Sequence, residues 1–199
     1  MILTDVAPLP DSALPLEAFK AHLRLGTGFP EDSLQDGVLN GFLRAALSAI
    51  EARTGKILIT RSFTWEQTRW RNAEAEILPV APVTSVTEIV MRDSEGGEVI
   101  VDPALYRLER DTHHPKLCPQ RGFLPIVAKG GSVRVSFAAG LAPDWGGLPA
   151  DLAQAVLMLA AHYYEYREDT GLHGGCMPFG VTSLIERYRA IRLSLGAVQ

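Results

Sequence analysis

The spacing of apolar and polar positions changes character twice along this chain. Residues 1–13 hold Pro8 and Pro10 and show no period, which reads as an extended arm. "PLEAFKAHLRLG" then fits a short helix, with Pro15 where a helix tolerates a missing N–H and Gly26 to end it. A second helix is predicted from Ser33 to Thr54. It opens on "EDS", stops at Gly55, and places Leu34, Val38, Phe42, Ala46, Ala49 and Ile50 on one buried stripe. From Lys56 the pattern is that of strands: in "KILITRSFTWEQTRW" the residues Ile57, Ile59, Phe63 and Trp65 fall on one side. "VTSVTEIVMRD", "EGG" and "EVIVD" read as a hairpin with a glycine turn, and "ALYRLER" and "GSVRVSFAAG" add two strands. The helical period returns over 149–168 and again over "VTSLIERYRAIRLSL".

Helices over 15–54, strands over 56–139 and helices over 149–195 form blocks rather than alternating. That grouping predicts an α+β fold: an N-terminal helix pair and C-terminal helices packed with a small, mostly antiparallel β block, in a single domain of residues 1–199. The stretch 111–130, "DTHHPKLCPQRGFLPIVAKG", has three prolines and no period. A loop of that length in a compact domain is usually functional or mobile.

Composition narrows the classes. With 199 residues, 47% hydrophobic and 21% charged, the chain is long enough to bury a core. A formal charge of -4 argues against a dedicated nucleic-acid binder, which needs cations to offset phosphate. Arginine outnumbers lysine fifteen to four, a bias that suits protein contacts, although GC-rich coding produces the same bias. Two cysteines, Cys118 and Cys176, make no disulfide framework and read as reduced thiols. The opening "MILTDVAPLPDSALPLEAF" lacks the basic region and apolar core of a signal peptide. The longest apolar run, "AVLMLAA", is seven residues, against ~20 for a membrane span. These features lead to the expectation of a soluble intracellular protein with no membrane partner.

The stretch that looks most like chemistry is "AAHYYEYREDTGLHGGC", which gathers His162, Glu165, His173 and Cys176. At i, i+3 on a helix, His162 and Glu165 could share a ligand, and a metal-dependent enzyme using all four is the alternative reading. The pattern is thin, because HxxE is common, HExxH is absent, and His173 and Cys176 sit in a glycine-rich loop without a recurring spacing. His113 and His114 near Cys118 raise the same question, yet adjacent side chains on extended backbone point to opposite faces. No nucleophile elbow, P-loop, GxGxxG or carboxylate pair is present, so neither an enzyme nor a cofactor is expected.

Two helices carry more than a core needs. In the one over 149–168, Leu152, Ala155, Val156, Leu159, Tyr163 and Tyr166 form the core stripe, while Leu157 and Met158 lie on flanks that invite a neighbouring subunit. The last helix sets Arg187, Arg189 and Arg192 beside Leu184, Ile185, Tyr188, Ile191 and Leu195, a basic amphipathic surface suited to an acidic partner.

The order of the elements resembles a known family. "LEAFKAHLRL" followed by "LQDGVLNGFLRAALSAIEARTGKILITRSFTWE" is similar to the opening of the head–tail connector (adaptor) proteins of long-tailed bacteriophages and gene transfer agents, with their K-x-H-L-R helix and a helix ending I-E-x-x-T-G. "VRVSFAAGLAPDWGGLPADLAQAVLMLAAHYYEYRED" resembles that family's strand, A-G turn and H-x-Y-x-x-R-E helix end, and "FGVTSLIERYRAIRL" its closing L-x-x-Y-R segment. The likeness covers about residues 15–195 and leaves 111–128 without a role. It implies a structural ring, of twelve subunits, that docks beneath a portal protein, extends the DNA channel and meets a neck or tail protein, in a particle assembled in the bacterial cytoplasm. His162, Tyr164, Arg167, Glu168, Tyr188 and Arg189 fall on motif positions and are expected to be scaffold and interface residues. Subunit contacts are therefore expected at Leu157, Met158, His162, Tyr164 and Arg167, and portal docking at Arg187, Tyr188, Arg189 and Arg192. DNA would pass without specific binding, along a neutral or acidic lumen.

Overall fold

The structure, a computed structural model, describes residues 1–25, 32–167 and 177–189. Its elements follow the α+β order: strand β1 (Ile2–Asp5), helices α1 (Leu16–His22) and α2 (Asp32–Thr54), then seven strands. These are β2 (Arg61–Gln67), β3 (Glu76–Ile77), β4 (Val83–Arg92), β5 (Glu98–Ile100), β6 (Tyr106–Glu109), β7 (Lys116–Pro119) and β8 (Ser132–Ala139). Helices α3 (Ala150–Glu165) and α4 (Phe179–Ile185) close the described chain. Two compact units result: Met1–Pro15 with Lys56–Leu148, and Leu16–Gly55 with the described part of Pro149–Gln199.

The strand unit holds a five-stranded antiparallel sheet in the order β1-β2-β8-β4-β5 and a three-stranded one in the order β3-β7-β6. The central strand β8 shows why a sheet forms here. Its residues alternate strictly, burying Val133, Val135, Phe137 and Ala139 and leaving Ser132, Arg134, Ser136 and Ala138 half-buried. Phe63 of β2 stacks on its register partner Phe137, with ring centroids 5.6 Å apart. Trp65, Ile89, Leu117 and Leu124 complete a core to which both sheets contribute. Burying each such side chain is worth about 1.5–3 kcal/mol.

Glu76 is the polar exception inside this unit. Its buried carboxylate accepts the main-chain N–H groups of Arg71 (2.7 Å) and Asn72 (2.9 Å), so the charge tethers the turn leading into β3. Gly140 follows β8 where the chain passes Thr60 so closely that a Cβ would lie 2.3 Å from Thr60 Cα. Only glycine fits that crossing.

In the helical unit α3 packs against α2, α1 and α4. Its buried residues Leu152, Ala155, Val156, Leu159 and Ala160 recur at three- and four-residue steps.

Several expectations are corrected. The extended arm gains a partner that its sequence does not announce: Ile2–Asp5 adds an edge strand to the large sheet, and the prolines fall after it. The buried stripe of α2 is rotated. Leu39, Leu43, Ala46, Leu47 and Ile50 are buried, whereas Val38 is 52% exposed and Ala49 only half-buried. The helix has two apolar stripes, and leucines at i, i+4 spacing bury more area than the Val38 stripe. Leu58 is buried beside Ile57 and Ile59, because this segment makes isolated bridges to Ala81 and Ala142 before true strand begins at Arg61. The stretch 111–130 contains β7, whose pairing with β3 and β6 supplies order that a period of four residues does not announce. Tyr166 does not anchor the core: it lies beyond the last turn of α3 and is 49% exposed. The final helix ends at Ile185, then tightens into a 3₁₀ turn at Glu186–Tyr188 before extended backbone at Arg189.

A candidate assembly surface

The end of the described chain is tied to the start of α3 by one carboxylate. Asp151 sits in the first turn of α3, where a negative charge meets the positive end of the helix dipole, and it accepts the Leu152 N–H at 2.9 Å. Tyr188 Oη donates to Asp151 Oδ1 at 2.8 Å, and the Arg187 guanidinium stands 2.8 Å from Oδ2. Arg187 also donates to Tyr188 Oη and lies over the Tyr188 ring, 4.7 Å from its centroid. Burial is the main cause that pushes the Tyr188 phenol up from its ordinary value, so it stays protonated and keeps donating. Arg189 reaches back to Glu186 with contacts of 3.0 and 3.2 Å. Arg187 and Arg189 are thus held by the chain's own carboxylates on a largely exposed surface. Arg192 lies outside the described residues.

Of the expected subunit-contact residues, Leu157, Met158, His162 and Tyr164 lie on the second face of α3, and Arg167 follows its end. Leu157 and Met158 are half-buried. Met158 meets α4, since a Cβ on Gly180 would come 2.8 Å from its terminal methyl. His162 packs against the Tyr166 ring at 4.7 Å. Tyr164 packs edge-on against Phe42 of α2 at 6.0 Å, and Arg167 covers the Tyr164 ring at 5.4 Å. Part of this face is therefore satisfied within the subunit. Phe42 explains a position that the α2 stripe had assigned to the core.

Glu165, the proposed partner of His162 in a metal site, is exposed, and His173 and Cys176 lie outside the described residues. Among the described residues no group of three or more His, Cys, Asp or Glu side chains could hold a metal ion. The histidine pair has a different use. Lys56, fully buried, donates to the Thr112 carbonyl and stands 3.0 Å from His113 Nδ1. Asp111 accepts the N–H groups of His113 (2.7 Å) and His114 (2.6 Å), and these bonds hold its carboxyl below the usual range. Burial drives the Lys56 amine down from its ordinary value, with Asp111 opposing. The stretch 111–114 is thereby clamped to the start of the strand unit. Sequence reasoning missed this clamp and the Asp151 anchor, because each joins residues more than thirty positions apart.

Comparison with known proteins decides the family. No protein-family model and no curated protein matches the chain. Among solved structures, a chain in the neck of an empty gene transfer agent (GTA) particle computed with C6 symmetry is 45% identical, with a TM-score of 0.89 over 98% of this chain and 99% of that one. The chain belongs to the head–tail connector family of gene transfer agents. A chain in the virion of a native GTA particle is similar at 45% identity and a TM-score of 0.86, covering 98% of this chain and 99% of its own length. A third, in the neck of a native GTA particle computed with C12 symmetry, is 42% identical with a TM-score of 0.84 and the same coverage. The likeness to connectors is thus a likeness of whole chains, strand unit and helical unit alike, and among the described residues no helix is long and apolar enough to cross a membrane.

Proposed function

We infer that this chain is a structural head–tail adaptor: a subunit of a ring, of twelve copies, in the neck of a gene transfer agent particle. The observation that carries the reading is 45% identity across 98% of the chain to a subunit of such a neck. The ring sits beneath the portal protein, continues the DNA channel and presents a surface to the next neck or tail protein. Its role is mechanical. The formal charge of -4 fits a conduit, since cations lining the lumen would hold phosphates in transit.

The segment from Arg187 through Arg192 is the portal-facing element in this reading. Arg187 and Arg189 are paired with Asp151 and Glu186, but exposed ion pairs contribute only about 0–1 kcal/mol. An acidic portal surface can exchange those partners at little loss, so internal pairing holds the arginines in place until docking. On the second face of α3, Leu157, Met158, His162 and Tyr164, with Arg167 just past its end, meet the neighbouring subunit in addition to their internal contacts.

Deleting the gene in the producing strain tests the function. Filled heads without attached tails are expected, and electron cryomicroscopy of wild-type particles should place a ring of this protein between head and tail. Intact tailed particles from the deletion strain would overturn the reading.

A further inference from the structure

The five-stranded sheet ends in two uncovered edges, and their geometry matches. At β5, Asp93 N–H bonds Gly97 O (3.0 Å) and Val101 N–H bonds Ile89 O (2.9 Å), so the bonded pairs bracket the strand. Antiparallel pairs alternate between bonded and non-bonded, so Val99 also turns its main chain toward β4. The N–H and C=O groups of Glu98 and Ile100 then face out of the sheet. At β1 the Val6 N–H bonds Ser62 O at 2.9 Å, and the same alternation points Ile2 and Thr4 at β2 and leaves Leu3 and Asp5 facing out. Among the described residues no main-chain partner lies beyond either edge.

The side chains agree. Edge strands of soluble proteins are normally blunted by shortness, by a charge such as lysine, by proline or by a bulge, and β5 has the first two in its three-residue length and Glu98. Glu98–Ile100 has no lysine or proline, and Val99 and Ile100 are 67% and 64% exposed. Register partners run in one row across the sheet: Ile2, Glu66, Arg134, Val90, Ile100. An exposed isoleucine therefore stands at both ends of one row, on the same face. The adjoining row runs Leu3, Trp65, Val135, Ile89 and on to Val101, with Val101 in the core at one end and Leu3 partly buried against it at the other. Joining the β5 edge of one sheet to the β1 edge of another keeps the outer face with the outer face and the core face with the core face.

A ring generated by rotation needs two different, mutually complementary surfaces on every copy. We propose that these edges are that pair: β5 of one subunit adds to β1 of the next, so the sheet runs on between neighbours. This deepens the ring assignment above and rests on it. Outward N–H and C=O groups provide the bonds, while Ile100 against the neighbour's Ile2 provides cross-strand packing.

The test uses intact particles from the producing strain. A chain carrying Ile2→Cys and Ile100→Cys, with Cys176→Ser to remove a competing thiol, is expected to give a ladder of disulfide-linked multimers on mild oxidation. Each single-cysteine variant should give dimers at most. Ile100→Pro removes a donor that has no partner in the isolated subunit, so the purified variant should keep wild-type thermal unfolding. Its incorporation into particles is expected to fall about tenfold or more, because the loss repeats at every contact around the ring. Ile100→Lys, which keeps the N–H, serves as the second variant if proline disturbs the fold, and the same loss is expected. Wild-type particles with a ring but no double-cysteine ladder, or variants that enter rings normally, would overturn edge pairing and leave the ring assignment standing. Normal rings whose tails no longer attach would also overturn it, by giving the edge to a tail component. Wild-type particles without any ring of this chain would remove the ring assignment itself.

Discussion

Lys56 shows what one buried charge does in this protein. Burial lowers its pKa below the ordinary 10.5, so the folded chain holds that proton less tightly than the unfolded chain does. Linkage then fixes the sign: stability from this group rises with pH through the depressed value and levels off above 10.5. Lys56→Met abolishes the titration. The stability of wild type relative to Lys56→Met is expected to increase as pH is raised from neutrality toward 10.5, read by urea unfolding, whereas a flat difference would contradict it. The three tryptophans, Trp65, Trp70 and Trp145, all lie in the strand unit, so their fluorescence follows that unit alone. Glu76 is tested with the same signal. Glu76→Ala removes the buried carboxylate that accepts the Arg71 and Asn72 N–H groups, and a loss of about 1–3 kcal/mol is expected from losing two charge-assisted bonds.

Among the elements, α4 and the 3₁₀ turn after it depend on the Asp151 anchor. Tyr188→Phe removes the bond from a half-buried phenol to a carboxylate and is expected to lower the stability of the helical unit by about 1–2 kcal/mol. Arg187→Ala removes an exposed pair and is expected to change it by less than about 1 kcal/mol. Circular dichroism at 222 nm during urea unfolding ranks the two, and equal losses would show that the anchor works through charge rather than through the phenol. The anchor also sits where α4 ends at Ile185. Among the described residues the α-helix gives way to a 3₁₀ turn at 186–188, where the period predicts helix and the Tyr188 hydroxyl bonds the first turn of α3.

For the whole molecule the prediction concerns docking. If the segment from Arg187 through Arg192 docks on the portal as proposed, joint reversal of the exposed pair, Arg187→Glu with Arg189→Glu, is expected to leave the subunit folded and to reduce tailed particles severely, because the segment loses its positive charge. Particle counts by electron microscopy check it, and normal tail attachment would exclude these arginines from docking. Much of this architecture is legible in the chain. Strict alternation over Ser132–Ala139 makes a strand buried on one face, three- and four-residue spacing from Leu152 to Leu159 makes α3, and blocks of like elements make α+β, since each is set by local geometry and burial. The ordered motifs read in the sequence also led to the right family. Tertiary structure decided what depends on distant partners. It chose Leu39 and Leu43 over Val38 as the buried face of α2, since two apolar stripes compete and only packing selects between them. It paired Ile2–Asp5 with β2 and Lys116–Pro119 with β3 and β6, because a four-residue strand carries too little period to declare itself and gains its order from neighbours. It also tied Lys56 to Thr112 and Tyr188 to Asp151, contacts that no local spacing encodes, because a hydrogen bond is specified by where the fold brings its two ends.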